Sequence, residues 1–550
     1  MENSKILNQI NQCFHNNGIK QESRFDLLLS MLEKNNKNEP CDQPEKYKEI
    51  INLLENLDYT NTDLIQEMFM FIGSKLTKFK LDQFYSPLTI SRFINSFMIV
   101  GEEYKAIDPA GGTGDLLLFY NGKKSIWDID DNALKLCKFN YELNKQTNYE
   151  LVCKNSLNDF ESDEGTYSYV AMNPPFGTST LITDVKILEK YELGKGRKKQ
   201  EIGILFVELG IKLLKNDGIL FVILPSGYMG NGNKICSELR DLILKNNVIA
   251  SLELPKNTFK RSGTGVNTYL LIIQKKNITV TEPHEILISG IENIGYNLSK
   301  KDTPLKYKVF KNTGQIMCNE DSKSILDNDF DDIKRQIISY ANRNKILNIR
   351  SDKICDDTYE HIMSNKISSN ILDIKRYKQV YLSTIQKMSN VNAKPVNKYS
   401  KIIKTTTKII KTDIYKYIDI GEINSPLHSY KEMYGWELPS RAKYTVKKYD
   451  ILISKLEGTM SYCVILSDDD NYISTNGVTV LRPTNMTSLY ILFGNIVKKD
   501  FNIQHTAFLT GSIMASLSDD NISEFLIDEH IDIESTKKII DTLELLYNLK

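Results

Sequence analysis

The 550-residue sequence predicts an α/β chain: an open, mostly parallel sheet wound with helices, a helical region before it and an α+β unit after it. Three observations carry that expectation. Short β-rich runs alternate with helix-like segments from about residue 102 to 276, the pattern of a doubly wound sheet. The first 80 residues or so carry helical periodicity instead. From about Asp352 onward, short strands are punctuated by turn signals. A chain of this length exceeds one comfortable core, so two or three domains are expected.

Taken in order, residues 1–80 contain FDLLLSMLEK and LIQEMFMFIGSKL, apolar at helical spacing, and form a helical lead-in. Residues 81–280 hold the strand-like runs YKAID, SIWDID, YSYVAMN, GILFVILP, VIASLELP and TYLLIIQ. Residues 281–350, with HEILISGI and the polar helical stretch DSKSILDNDFDDIKRQIISYANRNKIL, are expected to be a connector. Residues 351–550 combine YKYIDIG, YDILISKL, YCVILS and GVTVLRP with the turns SDDDN and STNG, and close on the helical tail IESTKKIIDTLELLYNLK. There is no internal repeat and no low-complexity tract.

Seventy basic and 70 acidic side chains cancel, so a polyanion partner would have to be held by local basic patches. The N-terminus lacks an apolar signal region and no window approaches a membrane span, which predicts a non-secreted protein working in the cytoplasm. Eight cysteines, at 13, 41, 137, 153, 236, 318, 355 and 463, never form C-x-x-C; they read as reduced and structural, with no metal site.

The chemistry begins at DPAGGTGDLL (residues 108–117), directly after a short strand. Gly111, Gly112 and Gly114, with Ala110 beside them, allow a tight turn whose backbone N–H groups can approach a ligand. The next strand ends in WDIDDNA, placing Asp128 about twenty residues beyond Asp108, where such sheets put the acid that accepts ribose hydroxyls. Neither G-x-G-x-x-G nor G-x-x-x-x-G-K-[ST] is present, which disfavours a dinucleotide and a phosphate cradle. An adenosine-type ligand without a pyrophosphate remains, held by Asp108 near its polar tail and Asp128 at its ribose; S-adenosylmethionine fits.

DPAGGTGDLL, followed after about sixty residues by NPPF and then by FVELGIKLLKNDGILFVILP, resembles the DNA adenine-N6 methyltransferases. The nearest likeness is to the modification subunits of type I restriction systems and their type IIG relatives. That resemblance implies a Rossmann-like S-adenosylmethionine-dependent methyltransferase domain over residues 80–276, ending in a terminal hairpin at 257–276. It also implies that QFYSPLTISRFI (residues 83–94) packs on the cofactor's methionine end through Gln83, Phe84, Tyr85, Ser86 and Pro87, with the segments in the γ order. Two departures stand out. The family often has Cys where Gly111 stands, a change expected to be neutral, and usually Asp where Asn155 stands, to accept the cofactor adenine's amino hydrogens. An amide oxygen can still accept one, and Asn155 can equally be a turn residue.

In AMNPPFGTST (residues 171–180) each part has a task. The exocyclic nitrogen of adenine is a poor nucleophile because its lone pair is delocalised, and two acceptors aimed at its hydrogens would free that pair. The Asn173 side-chain oxygen and the Pro174 carbonyl are the candidates, with Pro175 stiffening the loop and Phe176 stacking on the base. The target base must be rotated out of its duplex to reach them. Cytosine C5 transfer would need a nucleophilic Cys after Pro, and the single Pro-Cys pair, Pro40 and Cys41, lies far upstream. Cytosine N4 transfer shares the adenine mechanism but more often uses Ser in place of Asn173, and stays a minor alternative; protein-glutamine methylation usually has Tyr where Phe176 stands, and the large C-terminal region argues against it.

Two basic stretches are candidates for duplex DNA. Lys195, Arg197, Lys198 and Lys199 read either as a mobile loop over the phosphates or as a solvated face. KPVNKYSKIIKTTTKIIKT (residues 394–412) carries six lysines and no acid, including Lys404 and Lys408, and suits a phosphate-contacting stripe. Ser440, Arg441 and Lys443 are candidates to reach base edges. The C-terminal motifs resemble one target-recognition domain of type I specificity subunits, so the chain reads as a modification module fused to half such a subunit. A separate restriction endonuclease subunit and pairing of two copies through Ile539, Ile540, Leu543 and Leu546 are further partner expectations. The leading expectation is sequence-specific adenine methylation of DNA without cleavage; the alternatives are an RNA adenine methyltransferase and an inert DNA-binding relative.

Overall fold

In the computed structural model, residues 3–36, 45–59, 64–72, 85–175, 181–260, 265–276, 285–300, 303–319, 322–346, 348–350, 362–363, 370–458, 460–511 and 515–549 are described. They fall into two compact units, one of residues 1–225 and 238–370, the other of residues 226–237 and 371–550.

The first unit is built on a nine-stranded sheet. Its strands are β1 (Lys105–Asp108), β2 (Lys123–Asp128), β3 (Tyr149–Cys153), β4 (Tyr167–Met172), β5 (Leu214–Pro225), β6 (Asn247–Glu253), β7 (Thr268–Gln274), β8 (Glu285–Gly290) and β9 (Ile362–Met363). They run in the spatial order 3-2-1-4-5-7-6-8-9. β1 to β5 are mutually parallel, and β7 inserts antiparallel between β5 and β6. β4, β6 and β7 are buried almost throughout, which is why they read as near-continuous apolar runs. The order reverses between β1 and β4, and a doubly wound sheet opens its ligand crevice at that switch point. The expected α/β class is therefore borne out.

Two expectations change in detail. The hairpin at 257–276 does not end the sheet, because β8 pairs parallel with β6 and β9 pairs beyond it. The segment expected as a connector, 281–350, supplies β8 and the helix Phe330–Arg343, whose Phe330 ring stacks on Phe93 at 4.7 Å. That helix buries Ile333, Ile337 and Ile338 while exposing a charged face, and the polar face hid its role in the core. The N-terminal helices close over their own apolar cluster, in which Ile6, Phe14, Phe25 and Met68 meet Leu136 and Phe139 of the helix Asp131–Leu143.

The second unit contains two four-stranded sheets. One orders strands Ser400–Ile402, Val478–Pro483, Ile451–Ser454 and Tyr462–Val464; the other orders Lys431–Tyr434, Ile414–Ile418, Tyr472–Thr475 and Ala442–Thr445. Helix Ile533–Asn548 packs back through Ile540 and Leu543, while Ile539 and Leu546 face outward. No helix among the described residues is long and apolar enough to cross a membrane.

The loop after β1 depends on glycine for packing. Gly114 has φ of +76°, and a Cβ there would lie 2.5 Å from the Cys137 sulfur and 2.7 Å from the Tyr141 ring, both fully buried. Gly114→Ala should therefore cost about 3 kcal/mol, from left-handed strain plus overpacking, read as a lowered thermal unfolding midpoint.

Candidate active site

The site is assembled at the C-terminal ends of β1, β2 and β4, where each strand hands its last side chain to the crevice. Asp108 closes β1 at 2% exposure and accepts the Ala110 N–H at 3.1 Å. Burial pushes its carboxyl well above the usual carboxylate range; the Ala110 N–H opposes this, and the nearby Asp128 and Asp115 charges reinforce it. Asp128 closes β2, and its two oxygens accept the N–H groups of Gly112 and Asp130, each at 2.9 Å. Burial raises its pKa as well, against the lowering effect of those N–H groups. One lone pair on each oxygen is thus engaged by backbone, leaving the carboxylate room for a diol.

The turn between these acids differs from expectation in what its glycines do. A Cβ on Gly111 would lie 2.2 Å from the Ile126 Cγ2, so a Cys at this position is not the neutral change the resemblance suggested. Gly111 also donates its N–H to the Trp127 carbonyl at 2.9 Å. Asn155, beyond β3, behaves as a turn residue: its side-chain oxygen accepts the Leu157 N–H at 3.1 Å and its carbonyl accepts those of Asn158 and Asp159.

Asn173 follows β4 directly. Its side-chain amide donates to the Ser86 hydroxyl at 3.4 Å, and its Oδ1 is buried with no hydrogen-bond partner. A buried acceptor without a donor costs free energy and is rare in folded proteins. The Pro174 carbonyl likewise accepts no hydrogen bond among the described residues, and the Pro175 ring follows, half-buried. Ser86 and Tyr85 are both buried, and Pro87 stands at the N-cap of the helix Leu88–Asn95. The Ser86 carbonyl is gripped in turn by the Gln66 side chain at 2.9 Å, which also donates to Asp115 at 3.0 Å. Gln83, Phe84 and Phe176 lie outside the described residues.

Lys195, Lys198 and Lys199 are exposed, whereas Arg197 is ion-paired with Glu238. Side chains tie down both ends of their segment. Glu208 accepts the N–H groups of Glu192 and Leu193 at 2.6 and 3.0 Å, Gln200 holds the Leu193 carbonyl and Tyr191 the Leu157 carbonyl. Sequence reading passed over Glu208, although a lone acid within the apolar helix IGILFVELGIKL was the available signal of a buried carboxylate. In the second unit, Lys404 is paired with Asp520 and Arg441 with Asp419, while Lys408 and Ser440 are exposed and Lys443 is half-buried.

Residues 61–370 match the family of N-6 DNA methylases, more than half of the chain, up to the last residue of the first unit. The chain belongs to that family. Among curated relatives, the chain is similar to the type I restriction enzyme MjaVII methylase subunit of Methanocaldococcus jannaschii, 22% identical over 47% of this chain and 48% of the relative. It thus spans about half the length of that relative. It is also similar to the rRNA N(6)-adenosine-methyltransferase metl-5 of Caenorhabditis elegans, 30% identical over 30% of this chain and 80% of the relative. Among solved structures, the methyltransferase subunit of a type I restriction-modification system from Streptococcus thermophilus aligns with a TM-score of 0.38 and 16% identity, over 62% of this chain and 79% of that one.

Membership makes S-adenosylmethionine the methyl donor of the site, and the residues fit it. Asp128 keeps acceptor capacity for two vicinal hydroxyls, Asp108 offers a buried carboxyl to an ammonium, and the Asn173 oxygen waits without a donor.

Proposed function

We propose that this N-6 DNA methylase transfers a methyl group from S-adenosylmethionine to N6 of an adenine rotated out of duplex DNA, at a sequence read by residues 371–550. The observation that carries the reading is the buried, unpartnered Oδ1 of Asn173, an acceptor fixed in place before any substrate arrives. It accepts one N6 hydrogen and the Pro174 carbonyl accepts the other, which returns the nitrogen lone pair to the reacting face. The bound cofactor supplies an electrophilic methyl. Pro175 holds the two acceptors in register, and Phe176 stacks on the extruded base. Asp128 takes the ribose hydroxyls, and Ser86, by receiving the Asn173 amide hydrogens, keeps the oxygen rather than the nitrogen turned to the base. Tyr85 and Pro87 form the wall at the methionine end, with Gln83 and Phe84 from the same segment. Ala110, Gly111, Gly112 and Gly114 shape the turn beneath the cofactor, and Asn155 lies by its adenine.

Lys195, Lys198, Lys199, Lys404 and Lys408 serve the DNA phosphates, and Ser440, Arg441 and Lys443 the base edges; Arg197 acts through its pair with Glu238. On this reading the chain divides into a helical region, a catalytic domain that takes in 281–350, and a recognition domain of residues 226–237 and 371–550. Methylation proceeds without cleavage; a restriction endonuclease subunit would be a separate chain.

The test is transfer of labelled methyl groups to duplex DNA and to total RNA, with the product nucleoside identified after digestion. N6-methyladenine in DNA supports the reading; labelling of RNA alone overturns it in favour of the RNA reading, which the rRNA-methylating relative keeps open. Magnesium-dependent cutting of DNA by the purified protein would overturn methylation without cleavage.

A pH dependence follows from Asp108. Its carboxyl sits high in the free protein, and an ammonium beside it favours the ionised form, so cofactor binding should release protons. Affinity for S-adenosylmethionine should therefore rise with pH up to the raised pKa and level off above it. Calorimetry in buffers of different ionisation enthalpy reads the proton count; uptake instead of release would refute the pairing.

A further inference from the structure

The second unit displays a rigid pair of exposed aromatic rings that no part of the catalytic reading uses. Tyr434 and Trp436 stack at 6.3 Å with planes 14° apart, and they are 46% and 66% exposed. They flank a turn at the end of an edge strand, and the turn is clamped to the lysine-rich segment. Gly435 donates to the Asp413 carbonyl at 2.8 Å and Trp436 to the Lys411 carbonyl at 3.2 Å. A Cβ on Gly435 would lie 2.1 Å from the Ile410 carbonyl oxygen, so the two backbones touch at the only kind of residue that permits it. The nearest acid of the turn, Glu437, is folded onto the Tyr434 N–H at 2.9 Å. The ring area left exposed beyond their mutual contact is open to a further flat ring.

The same segment that clamps this turn lines a groove of about 350 Å³ with Lys401, Lys404 and Thr405 to Thr407, faced by Lys447 and Arg482. The Arg482 fork is fixed by Asp450 at 2.8 and 2.7 Å. Lys404 is paired with Asp520, whereas Lys401, Lys408, Lys411 and Lys447 have no acid partner among the described residues. Cations and hydroxyls in a groove suit a phosphodiester chain, and flat rings at the far end of its wall suit bases. A protein partner would find too many unpaired lysines here.

We propose that Tyr434 and Trp436 form a stacking platform for bases unstacked from the bound DNA, whose phosphates run through the groove of Lys401, Lys404, Lys447 and Arg482. This rests on the reading of the protein as a DNA methylase, and its test separates the two. The chain has two tryptophans, and Trp127 is buried, so the emission accessible to solvent comes from Trp436. Adding a synthetic DNA duplex at low salt should quench that emission and shield it from acrylamide, with no change in W436F. Trp436→Ala should weaken DNA binding, followed by anisotropy of a labelled duplex, by about 5- to 150-fold, whereas W436F should keep most of the affinity. DNA bound tightly with Trp436 still open to acrylamide, and W436A binding like the parent, overturns the platform and leaves the methylase reading standing. Shielding of Trp436 that grows with protein concentration in the absence of DNA overturns it in favour of a second copy. No binding to any duplex sinks the DNA reading, and the platform with it.

Discussion

Asn173→Ala is expected to slow methyl transfer about 10²–10³-fold while leaving S-adenosylmethionine binding close to that of the parent. The side chain does little for the fold: its amide makes one long hydrogen bond to Ser86, and its oxygen makes none. Removing it relieves a buried polar atom, so stability should not fall. On the proposed mechanism, the loss is confined to the acceptor for the adenine amino hydrogens. Single-turnover transfer to DNA beside equilibrium cofactor binding separates the two quantities. Asn173→Asp, which retains an oxygen but cannot donate to Ser86, should fall less far. A variant that transfers at the parental rate would remove Asn173 from the chemistry.

The second large effect is on cofactor affinity. Asp128→Ala should raise the Kd for S-adenosylmethionine by about 100-fold, the loss of two hydrogen bonds to a charged acceptor at ~1.5 kcal/mol each. It also leaves the Gly112 and Asp130 N–H groups without their acceptor, so the turn over the cofactor loosens. Transfer at saturating cofactor should change much less than affinity if, as proposed, Asp128 holds the ribose and not the methyl end. A variant whose turnover collapses while its Kd holds would place Asp128 elsewhere in the reaction.

Much of this was legible in the sequence because it follows from short-range chemistry. A strand ending in Asp, a glycine turn and a second strand ending in Asp place the crevice within about twenty residues, and NPPF after an apolar strand places the proposed acceptors beside it. What resisted reading depends on partners far along the chain. The apolar face of Phe330–Arg343 is thinned by charges, and nothing local shows that Phe330 will meet Phe93. Whether Lys195 to Lys199 wave in solvent or sit on a pinned loop depends on Glu208, which belongs to the following helix. The glycines at 111 and 114 look like ligand-approach residues from sequence alone, whereas Ile126, Cys137 and Tyr141 set their size limit. Asn155 shows the same ambiguity resolved locally, by its own turn.

Residues 226–237 leave β5 and pack with the second unit before the chain returns to the first. There Asn521, wholly buried, accepts the Gly232 N–H at 2.8 Å, Ser226 donates to the Gly511 carbonyl at 3.0 Å, and Leu372 donates to the Met229 carbonyl at 3.1 Å. The polypeptide therefore passes between the two bodies three times, and no single cut divides it into independent halves. Exchange of the second unit between related chains by one crossover near residue 370 would strand this twelve-residue segment against an unfamiliar partner. Such a chain accommodates change by substitutions within a unit more readily than by exchange of the unit whole.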